Sequence, residues 1–228
     1  MPAREQRPAA SDAGLSKARV VAEAVRLADR EGVHGLSMRR LATELGAGAM
    51  SLYHYVVSRE DLLDAMVDVV FDEIELLSDD ADWKSAMRSQ AMSARQVLAR
   101  HPWAISLMES RTTPGPANVR HREAFTACLR KAGFSIIMAT HANWLLNSYV
   151  YGYALQEASL PFSTAEELAE MTDSVYLPQL PADEFPYLHE SAVGLAESGY
   201  DPAGEFAFGL DLILAALEPL RDPEQHGA

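Results

Sequence analysis

The stretch LATELGAGAMSLYHYV, residues 41–56, constrains the fold more than any other part of the sequence. Leu41 and Leu45 lie one helical turn apart, and Gly46 and Gly48 interrupt the helix soon afterwards. The segment that follows crowds two tyrosines, a histidine and a serine into a very short helix. Two short helices joined by a tight glycine turn are typical of a helix-turn-helix, whose second helix enters the major groove of DNA.

The remaining sequence predicts helices separated by clear breaks. Helical spacing of apolar residues, with Ser, Thr or Asp at the starts and Gly or Pro at the ends, predicts helices over 16–32, 37–45, 50–56, 58–77, 82–100, 103–109, 117–132, 135–158, 164–174, 187–198 and 201–218. The Pro-rich segment 177–186 is predicted to be a loop, and the Pro/Ala-rich residues 1–14 a disordered arm. No segment indicates paired strands, so the predicted fold class is all-α.

The charge is distributed unevenly along the chain. The net charge is −14, which by itself argues against a nucleic-acid partner. Residues 1–60, however, contain nine Lys and Arg against seven Asp and Glu, whereas residues 61–228 contain ten against 26. A slightly basic N-terminal part on an acidic body favours a nucleic-acid surface at one end, although an acidic surface often serves solubility alone.

Composition also bears on the compartment. No apolar run is long enough for a spanning helix, and residues 1–14 lack the apolar core of a signal peptide. The single cysteine, Cys128, cannot form an intramolecular disulfide, which fits a reducing environment. We therefore expect a cytoplasmic protein without a membrane partner.

The side chains on the second helix of the predicted helix-turn-helix suit contact with DNA. A phenol or hydroxyl can donate to a phosphate, methionine can contact a thymine methyl group, and histidine can bond a base edge. The alternative is that Tyr53 and Tyr55 partly pack against neighbouring helices. The spacing alone leaves both interpretations open.

The segment GLSMRRLATELGAGAMSLYHYVVSREDLLDAMVD, residues 35–68, resembles the DNA-binding domain of the TetR family of transcriptional regulators. The similarity rests on the small-residue turn, the LYHYV run and the EDLLD entry to the next helix. It extends into the body, where GFS at 133–135 and DPAGEFAFGLDLILAALEP at 201–219 resemble tetracycline repressors. The resemblance implies a DNA-binding domain over 15–60 and an effector-binding and dimerisation domain over 61–228.

By this resemblance, one group of residues is expected to contact double-stranded operator DNA. Ser37 and Arg39 would bind at the start of one helix, and Arg59 would reach the backbone from a later one. The recognition surface would consist of Ala49, Met50, Ser51, Tyr53, His54 and Tyr55. Because Ala49 and Met50 replace a polar residue and a proline of the tetracycline repressor, we expect a different operator sequence.

Helices 135–158 and 201–219 are apolar on most faces, so most of their faces must be buried. One side can meet the core of the body, and the other a second copy of the chain. The two helices therefore predict a homodimer that presents two recognition helices to a palindrome. On this interpretation, a charge at Val150 or Leu214 would produce monomers.

Asn143 and Asn147 lie one turn apart in the apolar helix, and buried amides need partners. Those partners are either backbone groups or a small-molecule effector. The predicted effector-binding residues are Gln90, Trp103, Met108, Arg111, Asn143, Trp144, Asn147, Tyr151 and Gln156. Their character suits an apolar, aromatic effector.

No cofactor or metal is expected. At the positions where the tetracycline repressor holds magnesium, the resemblance places Met108 and Gln156, and thioether and amide groups suit hydrated magnesium poorly. His101, Glu109 and His121 lack the spacing of a metal or acid–base set, so no enzyme is predicted. The sequence therefore predicts a ligand-responsive repressor; the alternative is a helical interaction protein whose helix-turn-helix no longer binds DNA.

Overall fold

In a computed structural model of the chain we describe residues 14–78, 82–199 and 201–221, and every regular segment within them is helical. The predicted N-terminal arm, apart from Gly14, lies outside the described residues. The α-helices are α1 Lys17–Gly35, α2 Met38–Glu44, α3 Ala49–Leu52, α4 Arg59–Glu73, α5 Trp83–Arg100, α6 Ile105–Met108, α7 Pro116–Lys131, α8 Ile136–Ser159, α9 Ala165–Met171, α10 Leu177–Gln179, α11 Pro186–Ser198 and α12 Pro202–Leu217. The all-α prediction is confirmed.

Helices α1–α3 form a small N-terminal head. The side chain of Ser16 caps α1, and that of Ser37 caps α2 by accepting from the Arg40 backbone N–H at 3.2 Å. Gly32 leaves helical geometry with φ of 73°, and Gly46 ends α2 with φ of 64°. Both breaks follow the prediction, because glycine adopts positive φ without steric cost.

Two helices are shorter than predicted. Helix α3 ends at Leu52, and the chain continues through turns to Val56 instead of one regular helix over 50–56. Helix α4 ends at Glu73 rather than near Leu77, because Ile74 has extended backbone geometry. The predicted loop over 177–186 contains the single turn α10.

The body is built around α8, which packs against α5, α7 and α12, while α4 packs against α1 on the head side and α7 on the body side. Val150 and Leu214 are only 5% and 3% exposed within a single chain. The expectation that a charge at either position would produce monomers is therefore wrong, since such a charge would disrupt the fold of the protomer itself.

None of the helices in the described part of the chain has the length and apolarity needed to cross a bilayer.

Candidate functional site

The exposed face of the head carries three side chains at the helix-turn-helix. Met50 is 78% exposed and Tyr53 is 44% exposed, and His54 lies beside them in the same turn. Leu52 points the other way and is completely buried. Arg39, on the exposed surface of α2, has no ion pair among the described residues, unlike Arg40, which pairs with Glu31. The head thus exposes an apolar, an aromatic and two basic side chains.

Other predicted DNA contacts have partners within the head. Ser37 uses its hydroxyl to cap α2, and Tyr55 is half-buried against the core. Arg59 donates to the Val33 carbonyl oxygen at 3.4 Å, which holds it against the end of α1. Ala49 and Ser51 are partly exposed on α3. These contacts distinguish the free side chains from those that also stabilise the head.

A polar junction connects the head to the body. Asp29 Oδ1 of α1 accepts from Trp103 Nε1 at 2.7 Å and lies 2.7 Å from His101 Nδ1. The other ring nitrogen of His101 lies 3.2 Å from Glu73 of α4, which also accepts from Arg100. Burial opposes ionisation of Glu73, but its bonds to Arg100 and His101 outweigh that effect and lower its pKa. Trp103 therefore belongs to this junction and not to the cavity, contrary to the sequence prediction.

The body contains a cavity between α4, α5, α7 and α8. Its inner chamber holds about 70 Å³ of free volume. The walls are mostly apolar and aromatic with a few polar groups, as in small-molecule sites generally. They are formed by Phe71, Ile74, Met87, Gln90, Ala91, Ala94, Glu109, Asn118, His121, Arg122, Phe125, Asn143, Leu146, Asn147, Val150 and Tyr151.

Two polar pairs line the chamber. Gln90 Nε2 lies 3.1 Å from His121 Nδ1, and Asn147 Nδ2 donates to Asn143 Oδ1 at 3.2 Å. The two asparagines on α8 thus bond to each other, an arrangement the sequence analysis did not consider. Burial lowers the pKa of His121, so the imidazole is predominantly neutral at neutral pH.

A second cavity of about 200 Å³, here called the outer vestibule, adjoins the chamber and shares lining residues with it. The two share Asn143, Asn147 and Tyr151, and the vestibule adds Trp144, which is 72% exposed. Burial, and secondarily the charge of Glu109, raise the pKa of the Tyr151 phenol, so it remains protonated. An aromatic wall thus extends from the interior to the surface.

The structure brings together Gln90, Asn143, Trp144, Asn147 and Tyr151 of the predicted effector residues. The other four lie elsewhere. Trp103 contacts Asp29, and Met108 is buried away from the cavity lining. Arg111 pairs with Asp64 at 2.5 Å and with Glu60 at 2.8 Å. Gln156 lies in a separate surface groove beside Tyr153. Arg111 was expected to join Asn143 and Asn147 around the cavity, but its partners are on α4.

Sequence reasoning missed the cavity wall that α7 provides. Asn118, His121 and Phe125 recur at i, i+3 and i+7, which places them on one helical face. Two polar residues within an otherwise apolar stripe were the available signal. Within the described residues, no group of three or more His, Cys, Asp and Glu side chains is arranged to hold a metal ion.

Helix α4 is connected to the cavity wall by a row of carboxylates spaced four residues apart. Glu60 and Asp64 bind Arg111, and Asp72 binds Arg120 at 2.8 Å. Asp68 Oδ1 accepts from the backbone N–H groups of Ala117 and Asn118 at 2.9 and 3.1 Å, so it caps the N-terminus of α7. We call this row of contacts, from residue 60 to residue 72, the α4–α7 seam.

Comparison with known proteins identifies both parts of the molecule. Residues 20–66 match the family described as bacterial regulatory proteins, tetR family, and residues 77–220 match the tetracyclin repressor-like C-terminal domain. The chain is 35% identical over 213 residues to the HTH-type transcriptional repressor DrrR1 of Streptomyces coeruleorubidus, covering 90% of this chain and 78% of the relative. It is 29% identical to the class C tetracycline repressor protein of Escherichia coli, with 91% and 92% covered.

A solved structure matches the fold over nearly the whole chain. The Streptomyces coelicolor TetR family protein ActR, in complex with actinorhodin, aligns with a TM-score of 0.77 and 31% sequence identity. The alignment covers 93% of this chain and 99% of that protein.

Proposed function

The chain belongs to the tetR family of bacterial regulatory proteins, whose members are DNA-binding transcriptional regulators and not enzymes, and we propose that it is a dimeric repressor that a small aromatic effector releases from its operator. The exposed cluster of Met50, Tyr53 and His54 on the helix-turn-helix supports the DNA-binding part most directly. Folding of the head does not require these side chains on the surface, whereas contact with base edges and phosphates does.

The division of labour within the head follows from exposure. In this proposal the exposed Met50 and His54 contact base edges, while Tyr53, Arg39 and Ser37 donate to phosphates. Ala49, Ser51 and Tyr55 line the same surface, and Arg59 contributes from the start of α4.

Exposed apolar side chains on α8 and α12 support a twofold dimer. Ile137 and Leu145 on α8, and Phe208 and Leu212 on α12, are each about half exposed or more. Exposed apolar side chains on two helices that pack together favour a partner, and a second copy of the chain provides the same side chains. The dimer interface we propose therefore lies on helices 135–158 and 201–219, as the sequence analysis expected.

The effector acts, in this proposal, by changing the separation of the two heads. The recognition helices of a dimer must lie about 34–36 Å apart to enter successive major grooves. The cavity wall is formed partly by Phe71 and Ile74 at the end of α4, and the other end of α4 adjoins the head. A ligand that prefers a different position of α4 therefore opposes DNA binding.

The operator is tested by selecting bound sequences from random DNA with the purified full-length chain. We expect enrichment of a palindrome and an affinity that falls steeply as salt rises, since several phosphates are contacted. Absence of salt-dependent binding would reject the operator proposal and favour the helical interaction protein.

The dimer is tested with Leu212→Glu, whose side chain is 57% exposed in the protomer. Sedimentation should show monomers and operator affinity should be lost. Val119→Glu is the matched control, because Val119 is also exposed, at 51%, but lies on α7. A Leu212→Glu chain that remains a dimer would contradict the proposed interface.

A further inference from the structure

The innermost chamber contains a buried polar atom that lacks a partner. Asn118 is 8% exposed, and its Oδ1 accepts no hydrogen bond from any described residue. The other such atom in the described part of the chain, Thr172 Oγ1, belongs to a residue outside the cavity lining. Buried carbonyl oxygens in native proteins are almost always paired, so this one indicates a missing hydrogen-bond donor.

Neighbouring polar groups in the chamber are already engaged. The amide of Gln90 bonds to Nδ1 of His121, and His121 also bonds to the backbone of Phe71. The amide of Asn147 donates to Asn143. None of these groups donates to Asn118 Oδ1, so this oxygen is available to accept a hydrogen bond from a bound ligand.

The walls define the chemistry of the end of the ligand that enters the chamber. Phe71 and Phe125 supply flat apolar surface beside Asn118. The charged lining residues among those described are Glu109 and Arg122, which have opposite signs and are themselves exposed. An anion or a cation inside the chamber would have no buried counter-charge, so that end of the ligand is neutral.

Size determines how the molecule extends. The inner chamber, at about 70 Å³, accommodates only the edge of a drug-sized ligand. The vestibule of about 200 Å³ shares Tyr151 with the chamber and is also lined by the exposed ring of Trp144. A planar ring system fits this path better than a globular ligand, since aromatic surfaces line it at both ends.

We propose that the effector is a neutral, planar aromatic molecule with a hydroxyl group on its leading edge, and that this hydroxyl donates to Asn118 Oδ1. The ring system then extends through the vestibule toward Trp144. This inference rests on the proposed function, because it names the class of ligand that the regulatory cavity takes. It makes Asn118 the residue that selects hydroxylated aromatics over their ethers.

The test uses 2-naphthol and 2-methoxynaphthalene, which differ in the ability of one oxygen to donate. Calorimetry with the full-length wild-type chain should show about 5- to 150-fold tighter binding of 2-naphthol, the range expected for pairing a buried acceptor. Asn118→Leu should bring this ratio close to one. Gln156→Leu is the matched control: it removes an amide on α8 that lies in a separate surface groove, outside the cavity, and it should leave the ratio unchanged.

Equal binding of the two probes to wild type, absence of 2-naphthol binding, or an undiminished ratio in Asn118→Leu would each overturn the inference. The wild-type comparison decides the matter even if Asn118→Leu does not fold. Operator binding, measured in the same preparation without a probe, distinguishes a failure of this inference from a failure of the proposed function. Intact operator binding with no preference for 2-naphthol rejects the hydroxylated ligand alone, whereas absent operator binding rejects the proposed function.

Discussion

Gly115 should be irreplaceable for reasons of space. A Cβ atom at this position would lie 2.2 Å from Cγ and 2.6 Å from Cβ of Asp68. The backbone of Gly115, with φ of −77° and ψ of 171°, is open to any residue, so backbone strain plays no part. Because even the Cβ of Asp68 is too close, a side-chain rotation cannot relieve the clash, and α4 must move away from α7.

The loss of stability can be calculated from the hydrogen bonds that this movement breaks. Asp68 accepts two backbone N–H groups, at 2.9 and 3.1 Å, and hydrogen bonds to a charged group contribute about 1.5–3 kcal/mol each. Allowing for partial solvation of the carboxylate, we expect Gly115→Ala to lower the free energy of unfolding by about 2–4 kcal/mol. Chemical denaturation measures this value from the transition midpoint and its slope.

A matched glycine and a double mutant isolate the cause. Gly194→Ala lies in α11, where a Cβ meets nothing within 4 Å, and should be neutral or stabilising by up to about 1 kcal/mol. Asp68→Gly removes the whole side chain, and with it both the clash and the cap, so the double mutant with Gly115→Ala should be no less stable than Asp68→Gly alone. If Gly115→Ala is as stable as Gly194→Ala, or if its cost adds to that of Asp68→Gly, the steric reasoning is wrong.

Three further outcomes follow from the described contacts. Tyr53→Phe should weaken binding to all DNA sequences alike, whereas His54→Ala should change the preferred operator at a cost of about 1–3 kcal/mol. Competition assays on specific and random DNA distinguish the two effects, and equal losses of affinity for both variants would remove the distinction. Burial lowers the pKa of His121 in the folded state, so the unfolded chain protonates this imidazole first as the pH falls. The free energy of unfolding should therefore decrease below about pH 6.5. His121→Gln should reduce this pH dependence when stability is measured by denaturation at several pH values. Trp103→Phe retains the ring but removes the donor to Asp29 and should cost about 1–3 kcal/mol by denaturation; an unchanged stability would show that this junction bond contributes nothing.

Local signals in the sequence were sufficient to predict the helical architecture. Caps such as Ser16 and Ser37, and stops such as Gly46, act within a few residues, and the structure places them where the pattern predicted. The end of α4 was predicted less well, because apolar residues continue past Glu73 while the backbone turns at Ile74 to meet α5. Periodicity cannot reveal a bend that tertiary contacts impose.

The cavity was only partly predictable for the same reason. Asn143 and Asn147 stood out because amides are unusual in an apolar helix, and both line the chamber. Arg111 and Trp103 were expected to join them, but their partners are carboxylates on α4 and α1, far away in the sequence. Which carboxylate reaches which donor depends on how the helices pack, and no local pattern encodes that.

The α4–α7 seam also determines what Gly115→Ala does to regulation. Asn118 faces the chamber with its side chain, while its backbone N–H donates to Asp68 of α4 at 3.1 Å. A ligand bound at Asn118 therefore acts on a residue that is itself bonded to the helix leading to the head.

Coupling between ligand and operator is reciprocal, so the factor by which 2-naphthol weakens operator binding equals the factor by which operator DNA weakens 2-naphthol binding. Opening the seam with Gly115→Ala should bring both factors toward one together, because α7 can then respond to the ligand without moving α4. If the coupling persists undiminished in the variant, the signal passes through another contact, and the end of α4 at Phe71, bonded to His121, is the remaining route.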